Sequence, residues 1–213
     1  MDEPIISPDT RRDNRLPPRQ VVTHKWPVLH AGGVPPFDPA TWTFTVFPIP
    51  LVNTVKQFTW AEFAKLPRTQ VFGDMHCVTR WSKLDNLWEG VGTRELRNHV
   101  TVSPRAKFVM LHCEYGFTTN LPIDDFFDED CVFATHHNGQ PLTPDHGYPL
   151  RLVVPKLYAW KSAKWVRGVE FMEEDRPGYW ESWDHGGYHM RGDPWQGGDN
   201  NDGQRFRPPS AGR

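Results

Sequence analysis

The sequence contains few cysteines, and none of them are paired at the spacing of a metal knuckle or redox motif. Cys77, Cys113 and Cys131 are the three cysteines of the 213-residue chain, and no C-x-x-C occurs. An odd number of cysteines is poor support for a disulfide framework, and a zinc knuckle needs more closely spaced thiols. At least one thiol is therefore free, which is consistent with a reducing compartment.

Long apolar runs and an excess of charge are also lacking. No stretch approaches the roughly 20 apolar residues that span a membrane, and the formal net charge is −2. A nucleic-acid-binding domain needs a basic patch or stripe, so the composition predicts neither a membrane span nor a nucleic-acid partner. Arg11 and Arg12 lie near the start, but the apolar segment of an export signal does not follow. We therefore expect a cytoplasmic protein.

Proline and tryptophan, in contrast, are abundant. The chain has 21 prolines and 10 tryptophans. Proline is about twice as frequent as in an average protein, and it is excluded from helix interiors and central strands. Much of the chain should therefore form loops and turns. The polar segments 1–20 and 196–213 predict a flexible arm and a flexible tail around a single domain over residues 21–195.

Short strands dominate the predicted secondary structure. The stretch TWTFTVF (41–47) alternates apolar and polar residues, as a half-buried strand does. Thr59 and Glu62 have the spacing of a capping box and predict a short helix, and Pro122 predicts one helical turn over PIDDFF. Apolar runs predict further strands over 106–113, 150–155 and 165–172. The predicted fold class is α+β, rich in β.

The lone Cys77 lies in a stretch with the character of a turn. Gly73 and Asp74 precede it, and the cationic residues His76 and Arg80 flank it. A thiol beside cations tends toward the thiolate, which binds metals and acts as a nucleophile. The residues alone leave three interpretations open: a small buried hydrophobe, a ligand to a metal, or a nucleophile activated by a histidine base.

A second polar stretch begins at Arg151, on a predicted strand that ends at Pro155. Within ten residues after Pro155 the chain carries Lys161, Ser162 and Lys164. A guanidinium fork, two ammonium groups and a hydroxyl suit a phosphate or a polar heterocycle. A solvated strand edge with surface lysines is the alternative interpretation.

Two adjacent histidines, His136 and His137, precede Asn138 and Gly139. Asn-Gly after an apolar run is typical of a two-residue hairpin turn. The histidines are therefore part of a hairpin, or they form a pair of imidazoles that face a pocket.

Four blocks between residues 20 and 195 occur in a specific order. They are HCVTRWSKLDNLWEGV, GFTTNLP, FATHHNGQPLTPDHGYPLRLVVPKLYAWKSAKWVRGVEF and GYHMRGDPW. Together they resemble the sulfite oxidase family of molybdopterin-dependent oxidoreductases, and in particular its small bacterial single-domain members. The resemblance implies the molybdopterin-binding fold of that family, with mixed sheets and short helices, and a mononuclear molybdenum cofactor.

The resemblance also implies which residues form the site. In that family a lone cysteine supplies a thiolate to molybdenum and the pterin supplies two more sulfurs, so Cys77 is the implied metal ligand. Arg80, His136 and His137 join Cys77 in the predicted catalytic set. The implied cofactor contacts, besides Cys77, are His24, Val28, His76, His112, Thr119, His146, Arg151, Ser162, Ala163 and Lys164.

The implied activity is oxygen-atom transfer to or from a small substrate. The chain has no haem-binding C-x-x-C-H, so electrons must be exchanged with an external donor or acceptor. The sequence VTRWS replaces the Gly-Asn-Arg pattern of sulfite-oxidising members, and Thr23 stands where they have an arginine. These departures disfavour sulfite and leave an S-oxide or an N-oxide as the candidate substrate.

The alternative to an active enzyme is a molybdopterin-binding module without turnover. The dimerisation domain of larger members is not recognised here, which favours a monomer.

Overall fold

A computed structural model describes residues 3–47, 51–182 and 192–195. The predicted tail over 196–213 and residues 187–191 of the last block lie outside these ranges. The helices are α1 (Trp60–Phe63) and α2 (Ile123–Phe126). The strands are β1 (Ile5–Ile6), β2 (Val21–Val22), β3 (Thr43–Val46), β4 (Lys56–Thr59), β5 (Thr69–His76), β6 (Trp81–Gly92), β7 (Phe108–Cys113), β8 (Thr118–Pro122), β9 (Val132–His137), β10 (Gln140–Pro141), β11 (Arg151–Val153) and β12 (Val166–Met172).

The strands form two sheets, each of which mixes parallel and antiparallel pairs. The first sheet has the order β1-β5-β6-β9-β10, with β2 paired to β6 and β11 paired to β9. The second sheet has the order β4-β3-β12-β7-β8. Strands β1 and β2 run parallel to their partners in the first sheet, and β3 runs parallel to β12 in the second. The predicted β-rich class with mixed sheets is confirmed.

The main hydrophobic core lies between the two sheets. The ring of Phe44 on β3 lies 5.2 Å from that of Phe133 on β9, and Phe126 of α2 contacts both Phe133 and Phe171. The alternation predicted over 41–47 is confirmed, because Trp42, Phe44 and Val46 are all buried. Each such side chain contributes about 1.5–3 kcal/mol when it is fully buried.

The outer face of the first sheet is also covered. Val132 and Ala134 of β9 pack there with Trp88 of β6, and Trp26 lies against this second, smaller cluster. Since the sheet has apolar contacts on both faces, its strands form a rigid support for polar groups placed on the outer side.

The two predicted helices are confirmed as single turns. The hydroxyl of Thr59 accepts a hydrogen bond from the backbone N–H of Glu62, and the Glu62 carboxylate accepts one from the backbone N–H of Thr59 at 2.8 Å. Helix α2 begins one residue later than predicted, because Pro122 caps it and does not belong to its first turn.

The N-terminal residues bind the first sheet, which differs from the flexible arm predicted over residues 1–20. Strand β1 pairs with β5, and the hydroxyl of Ser7 donates to Asp130 Oδ2 at 2.7 Å. The guanidinium of Arg15 holds Asp74 through two hydrogen bonds of 2.9 and 2.6 Å. A few long-range contacts therefore order a segment whose composition is polar and rich in proline.

Candidate cofactor site

The thiol of Cys77 lies inside a tight turn between β5 and β6. The Cys77 N–H donates to the Trp81 carbonyl at 2.9 Å, and the Arg80 N–H donates to the Cys77 carbonyl at 2.9 Å. Arg80 adopts a left-handed φ of 71° to close this turn. The Thr79 hydroxyl donates to Cys77 Sγ at 3.1 Å, and Cys77 is only 7% exposed. The turn therefore holds the thiol beneath the surface.

The surroundings of Cys77 do not activate it as a nucleophile. Burial raises its pKa, and the hydrogen bonds from Thr79 oppose this only in part. Arg80 is exposed, so the expected effect of a neighbouring cation is not found. The imidazole Nδ1 of His76 faces Ser82 Oγ at 2.8 Å, and burial lowers the pKa of His76. The role of a metal ligand fits this thiol better than the role of a nucleophile, because a metal binds the thiolate and displaces its proton.

Gln20, a residue that no sequence pattern marked as functional, supports the turn from the N-terminal side. Its Nε2 donates to the Cys77 carbonyl at 2.9 Å, and its Oε1 accepts from Ser82 Oγ at 3.2 Å. Tyr158 also hydrogen-bonds to Gln20. Gln20 stood at the end of the predicted flexible arm, where no local pattern marked it. On the other side of Ser82, which Gln20 and His76 both contact, Nε2 of His76 is buried without a hydrogen-bond partner in the described part of the chain.

Arg151 is a buried cation whose contacts are all neutral. It is 2% exposed, and its guanidinium donates to the carbonyls of His146 at 3.0 Å and Ser162 at 2.9 Å. No acidic group pairs with it among the residues that the structure describes. Burial lowers the pKa of Arg151 to about 9. Because an uncompensated buried charge is costly, this environment favours an anionic ligand.

Lys164 adds a second cation beside Arg151. The two residues form a backbone bridge, and Lys164 Nζ donates to the Asp145 carbonyl at 2.5 Å. Burial and the charge of Arg151 lower the pKa of Lys164 to about 7. The neighbouring His146 has a pKa lowered to about 4 by burial and by both cations. Its Nδ1 is buried without a hydrogen-bond partner among the described residues.

The indole of Trp26 packs against these polar groups. Its ring centroid lies 3.7 Å from His146, 4.4 Å from His137 and 5.2 Å from Trp88. The Arg151 guanidinium lies 5.3 Å from the same ring. Burial and nearby cations lower the pKa of His137 to about 3, so both imidazoles are neutral at pH 7. Trp26, His137, His146, Arg151 and Lys164 are called the cationic cluster below.

Two chain segments connect the thiol to the cationic cluster. The first runs from Gln20, which contacts Cys77, to Trp26 in the cluster. The second, residues 158–164, begins where the Ala159 N–H donates to the His76 carbonyl at 2.7 Å and ends at Lys164. Two chain segments therefore link the thiol to the cationic cluster, and the two groups are called the ends of the elongated site below.

A buried ion pair fixes the second segment. Lys161 Nζ donates to Glu181 Oε1 at 2.5 Å and to both oxygens of Asn120 at 2.6 Å, and the side chains of Lys161 and Glu181 are fully buried. The Thr119 hydroxyl donates to the same Glu181 oxygen at 2.9 Å. Lys161 is thus neutralised inside the protein, and Thr119 supports this pair on β8.

Four further predicted contacts lie along the two segments. The Ser162 hydroxyl accepts from the Val154 N–H at 3.0 Å, and the Ala163 carbonyl accepts from the Leu152 N–H at 2.8 Å. These two residues shape the backbone beside Arg151. His24 and Val28 are exposed on the N-terminal segment.

The histidine pair lies on the hairpin that one of the two interpretations predicted. Asn138 and Gly139 both have positive φ and connect β9 to β10. Because successive side chains of a strand point to opposite faces, the two imidazoles lie on opposite faces of the sheet. His137 joins the cationic cluster, whereas His136 faces Thr135 and Arg68 beside a pocket of about 270 Å³. That pocket lies beside Glu89, and Cys77 lies beside Trp81 on the same strand, so the two are separated by roughly 25 Å at about 3.3 Å per residue.

His112 lies on the second sheet. Its Nε2 contacts Glu170 Oε2 at 2.9 Å, so its partner belongs to the second sheet and not to the site around Cys77. No group of three or more His, Cys, Asp or Glu within the described ranges is arranged to hold a metal ion. No helix in those ranges is long and apolar enough to cross a membrane.

Comparison with known proteins gives the chain a family. The family described as the oxidoreductase molybdopterin-binding domain matches residues 31–180. The uncharacterized oxidoreductase YuiH of Bacillus subtilis (strain 168) is 48% identical over 186 residues, which cover 87% of this chain and 91% of YuiH. The catalytic subunit MsrP of the protein-methionine-sulfoxide reductase of Campylobacter jejuni is 31% identical over 145 residues, 57% of this chain and 46% of MsrP.

A solved structure shares the fold. The sulfane dehydrogenase SoxCD from Paracoccus pantotrophus superposes with a TM-score of 0.61 at 22% identity, covering 68% of this chain and 41% of that chain. The chain thus spans nearly all of YuiH but less than half of MsrP and of the SoxCD chain.

The residues at both ends of the site fit the cofactor of this family. Molybdopterin presents sulfur ligands and the metal at one end and a phosphate at the other. A soft, buried thiol suits that metal, and the cations Arg151 and Lys164 suit the phosphate because no carboxylate pairs with them in the described structure. The chain belongs to the oxidoreductase molybdopterin-binding domain family, and it is a molybdopterin-dependent, sulfite-oxidase-like oxidoreductase whose cofactor is molybdenum with molybdopterin.

Proposed function

We propose that this oxidoreductase moves an oxygen atom to or from a small substrate and exchanges the two electrons singly with an external partner. The observation that carries the proposal is the elongated site, with the Cys77 thiol at one end and, at the other, the cationic cluster, whose buried Arg151 pairs with no carboxylate among the described residues. When bound, molybdenum with molybdopterin supplies two-electron oxygen-atom chemistry. The chain's own residues bind, orient and enclose it.

Each end of the site has a proposed task. Cys77 is the protein ligand to molybdenum, and the Thr79 hydroxyl, 3.1 Å from Sγ, adjusts the electron density on that sulfur. Arg151 and Lys164 hold the phosphate, with His146 and Trp26 beside it. His24 contributes on the first segment and Val28 just after it, His76 contributes beside Cys77, and Ser162 and Ala163 contribute on the second segment. His112 and Thr119 have partners elsewhere in the fold and support the site indirectly.

An S-oxide is the substrate class that we propose over sulfite. Arg80 is the exposed cation of the Cys77 turn, and one cation suits a polar, uncharged S–O or N–O group better than an oxyanion. A relative named for methionine-sulfoxide reduction supports the same class. His136 and His137 lie away from the thiol, so the proposal gives catalysis to Cys77 and Arg80. A cytoplasmic location and a monomeric state stay predictions from the sequence.

The test of the metal site is elemental analysis of protein made in a host that synthesises molybdopterin. We expect about one molybdenum per chain, and we expect Cys77→Ser to keep pterin while losing activity by at least about 100-fold. Cys113→Ala removes an equally buried thiol from the core and should keep its molybdenum. Absence of molybdenum from the wild-type protein would refute the proposal.

The test of turnover is a dye-linked assay with sulfite, S-oxides and N-oxides. Turnover of an S-oxide at a typical enzymatic rate, on the order of 1 per second or faster, supports the proposed reaction. Fully loaded protein that turns over none of these compounds supports the alternative, a molybdopterin-binding module of the same fold.

A further inference from the structure

Two stretches of chain beside the thiol lack acidic residues, and Asp74 and Asp85, which flank the second of them, both pair with Arg15. Residues 19–30 and 75–84 contain no Asp or Glu, although the whole chain has 26 acidic and 24 basic residues. The same two stretches contain four cations, Arg19, Lys25, Arg80 and Lys83. Positive charge is therefore concentrated there in a chain that is slightly acidic as a whole.

The fold places these two stretches side by side. Strand β2 pairs with the start of β6, with Val21 opposite Trp81 and Val22 opposite Ser82. The Val21 N–H donates to the Arg80 carbonyl at 3.0 Å. Lys25 and Arg80 are both exposed, so their charges lie on the surface of one local structure.

The same local structure exposes two apolar side chains, which precede Lys25 in the chain and pair with the strand that follows Arg80. Val21 is 69% exposed and Val22 is 41% exposed. Exposed apolar residues rimmed by charge are typical of protein interaction sites. Val21, Val22, Lys25 and Arg80 are called the basic patch below.

The basic patch lies next to the turn that holds Cys77. Gln20, the residue before Val21, donates to the Cys77 carbonyl at 2.9 Å. Cys77 itself belongs to the same turn as Arg80. A carrier bound at the patch would therefore lie beside the turn that holds the thiol.

Building on the proposed function, we propose that the basic patch docks an acidic one-electron carrier protein. Each encounter moves one electron between the carrier and the metal centre, so two encounters complete the two-electron change that accompanies one oxygen-atom transfer. Interfaces of electron-transfer pairs are small, below about 1,200 Å², and a compact patch suffices for them. Complementary charge raises the association rate and makes it sensitive to salt.

Stopped-flow mixing of oxidised holoenzyme with reduced flavodoxin, an acidic carrier, tests this. We expect the second-order rate constant to fall about tenfold between low and physiological salt. Lys25→Glu and Val21→Asp should lower it about tenfold at low salt. Lys65→Glu makes the same charge change at an exposed position just after α1, outside the basic patch, and should leave the rate constant unchanged. Reduced methyl viologen, a small cation, should reduce all variants at least as fast as the wild type.

Three outcomes would overturn the docking site. The first is an equal effect of Lys25→Glu and Lys65→Glu with flavodoxin. The second is faster reaction with basic cytochrome c than with flavodoxin at low salt. The third is slower reduction of the patch variants by methyl viologen, which would place these residues in the metal site itself. Molybdenum content, measured on the same samples, separates failure of the docking site from failure of the proposed function.

Discussion

Arg151 holds a positive charge in a buried position where no carboxylate of the described structure pairs with it. Its pKa, lowered to about 9, reflects the free energy that burial costs the charged form. Such a cost persists in a protein when a ligand offsets it, and the ligand that we propose here is the cofactor phosphate. The residue is therefore part of a site prepared for an anion before the anion binds.

Replacing Arg151 separates cofactor binding from stability. We expect Arg151→Met to lower the pterin content at least about tenfold, because the main phosphate donor is lost. The unfolding free energy of the cofactor-free protein should change by only about 1 kcal/mol, because two lost hydrogen bonds are offset by relief of the buried charge. Pterin fluorescence and urea unfolding measure the two effects. Arg167→Met, which breaks a pair with Glu114, should keep the pterin.

Lys164 should make the stability of the cofactor-free protein depend on pH. Its folded-state pKa is about 7 and its ordinary value is 10.5. The unfolded chain therefore binds more protons between these values, and stability rises with pH from about 7 upward, by at most about 1.4 kcal/mol per pH unit. Urea unfolding at pH 7 and pH 9 measures this rise. Lys164→Met should flatten it, and an unchanged slope would contradict this assignment.

At the scale of elements, segment 158–164 is held in place by one buried ion pair. Lys161 reaches Glu181 and Asn120, so the segment is fixed to β8 midway between the thiol and the cationic cluster. Breaking a buried pair leaves one charge without compensation, and this costs more than a surface pair does.

The expected cost of Lys161→Met is about 3–5 kcal/mol of unfolding free energy. The double variant Lys161→Met with Glu181→Gln should recover part of it, because no charge is left unpaired. Lys156→Met removes a partly exposed lysine that pairs with Asp125 and Asp128, and it should cost about 1 kcal/mol. Denaturant titration compares the three; equal costs for both lysines would refute the special role of Lys161.

At the scale of the whole molecule, the N-terminal residues tie the chain to the strand that carries the site. Arg15 reaches Asp74, which is 1% exposed and lies three residues before Cys77. We expect Arg15→Ala to cost about 1–3 kcal/mol, since the carboxylate loses its charged donors. Arg12→Ala breaks a more exposed pair and should cost less than about 1 kcal/mol in the same urea titration.

The sequence predicted what depends on neighbouring residues. The strand over 41–47 and the capping box at Thr59 are local patterns, and both are present. The pairing of Gln20 with Cys77 and of Lys161 with Glu181 depends on contacts between distant residues, which no local period encodes. The same limit explains the arm: contacts made by Ser7 and Arg15 order a segment whose composition alone predicts flexibility.

The two segments that connect the ends of the site come from opposite parts of the chain. Residues 20–26 leave the ribosome early, whereas residues 158–164 and Glu181 leave it after most of the 213 residues have been made. Translation proceeds from the N-terminus, so a nascent chain has the thiol long before it has Arg151 and Lys164. Insertion of the cofactor should therefore wait until both segments have left the ribosome, and the cell must keep the supply of folded chain and of cofactor in step.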